Sequence, residues 1–544
     1  MAVAETIPAA IDTAQTHSRL RFLWPAILLL IFVAQCLWFI RTQSFTLDEP
    51  GHIAAGLATW KYGRFVMQND NPPLARKIAS APLHFFTNVD VDNLQRDSHA
   101  MPPGLKPTHA WYVRLPMVAL GLLLGIAVWL VVARLFSESA ANFALALFAF
   151  SPGMIAHFSI AGTDGTGVLT FFLGTIAFAI WTNSPIWRNA CVLGVGVGFM
   201  LLAKFYAAPI TAILIALMCF EALRQRKMSA LKHAAAVATI AFLIVCSGYN
   251  LHIARYQFAN GIMDAHFQHR EQDWIAPVPF KSSFTVYIPG GDYLDGLARV
   301  YRTNKAWHNA YLLGATAQNG FRAYHVFAIA FKWPTLVLLL SGVGLALVLR
   351  RKIQLSRGAC LAAIMPVSFF LLALTAQLQI GDRHDLPIYP FLLVLAGATW
   401  HYFRNSRKAL IVLALLMVAN AVDVSRYAPD YLSYFTPLVR PTQTWRYLGD
   451  SNIDWGQGMI ALKKYQDQYP NETLYVRTFG GVDPSFYGVK CQRFAENERP
   501  HGTVIVTAID IAGYDLADRE AMRWLWQYPT KAYLNHSLFV FEVN

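Results

Sequence analysis

The stretch Phe45-Thr-Leu-Asp-Glu-Pro-Gly-His52 places two adjacent carboxylates directly after an apolar run. Charge at the lip of a membrane helix is costly and marks a functional candidate. An ionised Asp48 there can take the proton of a hydroxyl or amine as that group attacks an electrophile. General-base help of this kind contributes on the order of 10²–10⁴-fold. Asp48 also stands where a helix N-cap belongs, and capping alone would account for it; the two roles are compatible. Glu49 points to a different side of any helix and is carried with Asp48 as a catalytic candidate. His52, four positions after Asp48, can orient it or share a metal. A second isolated acid, Asp164, lies in Ala161-Gly-Thr-Asp-Gly-Thr166 between apolar runs. It is either a plain turn residue or a partner of Asp48 for gripping an acceptor.

The candidate cations sit in comparable places. Arg76 and Lys77 follow Asn71-Pro-Pro-Leu, Lys204 lies in Leu202-Ala-Lys-Phe-Tyr206, and Arg383 and His384 belong to Gly381-Asp-Arg-His-Asp-Leu-Pro387. Such groups can bind a lipid phosphate and steady it as a leaving group. Snorkelling to head groups is the commoner fate of interface cations, but it does not explain four ionisable residues packed before one apolar run. Two carboxylates and His52 could hold a divalent cation, and metal dependence stays open. No Gly-rich phosphate loop appears on the basic side of the chain, so no nucleotide site is expected.

The elements that must position these residues are membrane helices. Of 544 residues 55% are hydrophobic and only 14% charged, against roughly 25% charged in a soluble domain. Mean hydropathy is +0.36. The net charge of +13 falls in short basic clusters between apolar runs, the pattern of cytoplasmic loops, and nucleic-acid binding is not expected. Five of the six cysteines lie in apolar runs, with no disulfide or metal-ligand spacing.

Eleven spans of the needed length are predicted at about 22–40, 113–133, 140–159, 166–182, 189–205, 207–223, 231–250, 326–349, 358–378, 386–403 and 409–424. Basic residues near 19–21, 134, 188, 224–227, 350–352 and 404–408 set one side as cytoplasmic. Residues 1–21 then form a cytoplasmic tail, 22–424 a transmembrane catalytic domain with outer loops 41–112 and 251–325, and 425–544 an extracytoplasmic α/β domain. Asp48, Glu49, Asp164, Lys204, Arg383, His384 and Asp385 all collect at outer span ends. Within the first loop, 48–61 is predicted as an amphipathic helix and 75–86 as one lying in the interface. The last region holds 12 Lys/Arg against 13 Asp/Glu, so the basic excess belongs to the membrane part. Strands are predicted at 474–479, 503–507 and 538–541, helices at 459–468 and 518–527.

Ordered along the chain, Asp48-Glu-Pro-Gly-His52, Asn71-Pro-Pro-Leu-Ala-Arg76, Gly162-Thr-Asp164, Ala203-Lys204, Tyr311-Leu-Leu-Gly314, Phe331-Lys-Trp-Pro334, Gly381–Pro390 and Asp450-Ser-Asn-Ile-Asp-Trp-Gly-Gln457 resemble the GT-C superfamily of polyprenyl-phosphate-sugar-dependent glycosyltransferases. Within it the chain is similar to the branch shared by protein O-mannosyltransferases and the lipid A aminoarabinose transferase. The resemblance implies a helical polytopic fold with a polyprenyl-phosphate sugar as donor and a protein, lipid or glycan of the cell envelope as acceptor. It implies Asp48 as the activating acid and Asp164 as the second acidic position. Arg76 stands where relatives usually carry Lys on the carrier phosphate, and Arg383-His384 matches a later pair on the phosphate side. The branch implies a bacterial inner membrane, with the site and the C-terminus on the periplasmic side. It leaves the role of the tail from Asp450 open. A lipid or glycan transporter without sugar-transfer chemistry, or a membrane scaffold for the 425–544 region, are the other classes to weigh.

Overall fold

The structure is a computed structural model and describes residues 21–544 except 64–69, 93–100, 226–227, 267–273, 278, 280, 306–308, 481 and 515. The expected tail at 1–21 therefore lies outside the described residues but for Arg21. Among the described residues, seven helices are long and apolar enough to cross a membrane: Leu23–Thr42, Pro107–Leu135, Asp164–Asn183, Ala207–Arg224, Met228–Gly248, Leu386–Phe403 and Arg407–Ser425. The chain is a polytopic helical membrane protein.

All eleven apolar stretches are helical among the described residues, but four are not single full-length spans. The 326–349 stretch splits into Tyr324–Lys332 and Thr335–Leu349, bent by 114°. Pro334 explains the break: it cannot donate a backbone hydrogen bond, and it holds Trp333 extended. The 140–159 stretch ends at Ala149, and Ser151 caps a new short helix by accepting from Met154 N, with Pro152 in its first turn. Trp187–Ala203 and Arg357–Ala373 are apolar but short.

The helix Glu49–Tyr62 differs from the amphipathic expectation, because its residues from Glu49 to Thr59 are all buried. It packs face to face on Leu74–Phe86, and Gly56 makes the approach possible: a Cβ there would lie 2.3 Å from the Arg76 carbonyl oxygen and from Ser80 Oγ. The second helix buries Ala75, Ala79 and Leu83 and leaves Phe85 and Phe86 exposed, as an interface-lying helix would.

Beyond the membrane helices, the strands Thr530–Leu534, Leu538–Val543, Gly502–Thr507, Leu474–Val476 and Gln492–Arg493 form one mixed sheet in that order. The predicted helix at 459–468 is present as Met459–Gln468. The one at 518–527 is corrected to a 3-10 turn, Arg523–Gln527; Met522 and Leu525 are buried at the three-residue spacing that suits such a turn. One buried cluster runs without interruption from Phe32 and Phe148 through Tyr324, Tyr427 and Tyr434 to Phe539 and Phe541. The C-terminal region is thus packed into the membrane part rather than tethered to it.

Candidate active site

Asp48 occupies the N-cap position of the helix Glu49–Tyr62, yet its side chain makes no capping hydrogen bond. Its carboxylate turns instead to Arg383, whose Nη1 donates to Asp48 Oδ2 at 3.2 Å. The same Nη1 lies 3.7 Å from Asp164 Oδ2. Lys204 Nζ stands 2.7 Å from Asp164 Oδ1, and His157 Nδ1 is 3.9 Å from Asp164 Oδ2. Asp48, Asp164, Lys204 and Arg383, brought from four distant segments, therefore form one alternating set of charges. Asp164 is 6% exposed and Asp48 24%, so Asp48 is the carboxylate that an incoming molecule reaches.

Local structure explains each placement. Lys204 ends the helix Trp187–Ala203 in an extended conformation, which swings its side chain toward the adjoining helix. Gly167, in the first turn of Asp164–Asn183, leaves room for the Lys204 stem: a Cβ there would lie 2.9 Å from Lys204 Cγ. Arg383 sits in a 3-10 turn, Asp382–His384, and its guanidinium carbon lies 4.0 Å from the ring centre of Trp455. That stacking fixes the plane of the guanidinium and leaves its edge for the carboxylates.

Arg76 and His52 form a second, adjoining group. Arg76 Nε donates to His52 Nδ1 at 3.1 Å, and its Nη2 pairs with Asp70 at 2.6 Å. Burial, reinforced by the Arg76 charge, pushes His52 down to about 4, so the ring is neutral at pH 7 and free to accept that bond. Asn71 joins the two groups by accepting from Thr163 Oγ1 at 3.2 Å, one residue before Asp164. Burial and the neighbouring Arg383 likewise push His384 down to about 3, which removes it as a cation.

Two expectations change. Glu49 has no exposed surface. Its Oε1 accepts from Arg114 Nε at 2.8 Å and Ala161 N at 2.9 Å, and its Oε2 from Arg114 Nη2 and Thr46 N at 2.7 Å. A carboxylate so filled is a tie between three segments, not a catalyst. Lys77 turns away from the cluster, donating to Asn250 at 3.0 Å over the Trp60 ring. The two aspartates and His52 do not converge as a metal site: among the described residues no group of three His, Cys, Asp or Glu has that geometry.

The tail motif 450–457, whose role the sequence leaves open, builds one wall of the site. Leu47 N donates to the Trp455 carbonyl and Ser44 N to the Gln457 carbonyl, so the motif is stitched to the Asp48 loop. Asn452 accepts from Asp382 N at 3.0 Å, and Ser451 donates to the Ile380 carbonyl, holding the Arg383 turn. Lys332, fully enclosed, donates to the Asn452 and Leu432 carbonyls. Asp450, half-buried at φ +54°, is a third carboxylate held near Arg383. Its burial pushes it up to about 6, against the pull of that guanidinium. The motif was visible in the sequence, but nothing there ties it to residues four hundred positions earlier.

Residues 105–249 match the sequence model described as dolichyl-phosphate-mannose-protein mannosyltransferase. The matched stretch carries Asp164 and Lys204, and it bears out the GT-C resemblance and the reading as a glycosyltransferase. A comparison with curated sequences gives no match. Among solved structures, the S. cerevisiae protein O-mannosyltransferase Pmt1-Pmt2 complex bound to the sugar donor overlaps 74% of this chain and 90% of its own, at 10% identity and a TM-score of 0.48. ArnT from Cupriavidus metallidurans bound to undecaprenyl phosphate overlaps 96% of this chain and 98% of its own, at 13% identity and a TM-score of 0.49. Its apo form gives 97%, 98%, 13% and 0.49.

Proposed function

On the premise that residues 105–249 are of the protein mannosyltransferase type, we propose that this protein transfers a sugar from a polyprenyl-phosphate donor to a hydroxyl or amine of a cell-envelope acceptor, on the periplasmic face of a bacterial inner membrane. The observation that carries the reading is the alternating set Asp48–Arg383–Asp164–Lys204. A lipid phosphate entering it competes with the carboxylates for Arg383. As Arg383 turns to the phosphate, Asp48 loses its partner and becomes a base.

The step is a direct displacement with inversion. Asp48 takes the acceptor proton, the acceptor atom bonds to the anomeric carbon, and the bond from that carbon to the phosphate oxygen breaks with its electron pair. Arg383 and Lys204 stabilise the departing phosphate. Asp164 holds Lys204 and Arg383 in place, and Arg76 with His52 and Asn71 lines the approach. The positive groups stand at helix ends rather than midway along them, which supports surface chemistry over transport.

Binding of polyprenyl phosphate to the purified protein, followed by native mass spectrometry, tests the donor side. Arg383→Gln is expected to lose the bound lipid at concentrations that saturate the unaltered protein. Equal occupancy in both forms would contradict the assignment.

A further inference from the structure

A cavity of about 350 Å³ lies outside the catalytic cluster, between the C-terminal region and the hairpin at 310–317. Its chemistry is specific. Trp445 and Trp526 stack with ring centres 5.5 Å apart, and Trp526 is 41% exposed. Arg446, Arg519 and Arg523 line the same space, against one carboxylate, Glu520. Arg519 is fixed by donating to the Gly314 carbonyl at 2.7 Å, Arg523 pairs with Glu520, and Arg446 stacks 5.0 Å from the Trp445 ring centre.

We propose that this cavity binds an anionic sugar, the phosphate- or carboxylate-bearing head of the acceptor. Indole faces take the apolar face of a pyranose, and guanidinium forks take phosphate or carboxylate oxygens in pairs. The wall shared with the active site gives the position meaning. Tyr311 donates to the Trp445 carbonyl at 2.7 Å, and its side chain closes on Gly449, where an added Cβ would lie 3.2 Å from Tyr311 Cβ. Asp450 follows at once, on the side facing Arg383. A sugar held by Trp526 and Arg446 is thus tied through one short segment to the carboxylate cluster. The role of that sugar as acceptor rests on the sugar-transfer reading; the binding itself does not.

The test is titration calorimetry of the full-length protein in detergent with glucose 6-phosphate, glucuronate and glucose. Saturable binding of one or both anionic sugars, at least tenfold tighter than glucose, is expected. The Arg446→Ser/Arg523→Ser form, altered at two exposed positions, is expected to weaken that binding at least tenfold while keeping its melting temperature and its polyprenyl phosphate binding. Arg383→Gln is expected to leave it unchanged. No saturable binding, equal affinity for glucose, an unaffected double variant, or loss through Arg383→Gln would each overturn the proposal. The two anionic sugars separate phosphate from carboxylate recognition.

Discussion

Arg383 Nη1 lies 3.2 Å from Asp48 Oδ2, across 335 positions of sequence. The pairing means that the proposed base rests occupied. Its release must be coupled to whatever draws Arg383 away, and in the proposed reaction a lipid phosphate does so. A base freed only when donor is bound would limit proton transfer in the empty site.

Trp455 is expected to matter because it holds the Arg383 guanidinium at 4.0 Å. A desolvated cation–π contact is worth about 2 kcal/mol. Trp455→Leu should therefore weaken polyprenyl phosphate binding by about thirtyfold, while Trp455→Phe keeps most of it. Calorimetric or mass-spectrometric affinities of the two variants check this.

Arg76→Lys is expected to be far from conservative here, although the resemblance places Lys at this position in relatives. Arg76 uses separate nitrogens for His52 and Asp70, and one ammonium cannot reproduce that fork. The donor concentration for half-maximal rate should rise about tenfold. An unchanged value in steady-state kinetics would show that charge alone suffices.

Glu49 and Arg114 form a fully enclosed pair at 2.7 Å. Removing one partner leaves a buried charge and costs about 3–5 kcal/mol, whereas replacing both with apolar residues costs much less. Arg114→Met should lower the thermal unfolding midpoint in detergent more than Arg114→Met combined with Glu49→Leu. The opposite order would contradict the structural role given to Glu49.

Asp450 carries a pH signature. Burial raises its carboxyl from 3.8 to about 6, so the folded protein keeps this proton longer than the unfolded chain. The contribution to stability is therefore full below 3.8, falls as pH rises to about 6, and is level above. Asp450→Asn removes that fall. Its unfolding midpoint relative to the unaltered protein should rise between about pH 4.5 and pH 7.

Much of this site was legible one residue at a time. Asp48, Asp164, Lys204 and Arg383 stand out because ionisable groups next to apolar runs need a reason, and the structure brings all four together. Glu49 misled because adjacency to Asp48 says nothing of the side it faces, and Arg114, its partner, reads as one more cation near a span end. The breaks at Pro334 and Pro152 were not legible, since hydropathy registers the length of an apolar run and not its direction. Three strands of the C-terminal sheet, Leu474–Val476, Gly502–Thr507 and Leu538–Val543, were legible from β-branched and aromatic runs, whereas its strands Gln492–Arg493 and Thr530–Leu534 were not. The docking of the 450–457 motif on Leu47 and Asp382 was not, because long-range backbone pairing leaves no periodicity to read.

The most direct measurement is release of free polyprenyl phosphate from labelled polyprenyl-phosphate sugars, compared between the unaltered protein and Asp48→Asn in equal amounts of membrane. The expected result is release from at least one donor by the unaltered protein and a fall of on the order of 10²-fold or more on the substitution. Equal release by both forms would contradict Asp48 as the base, and no release from any donor would contradict the transfer reaction itself.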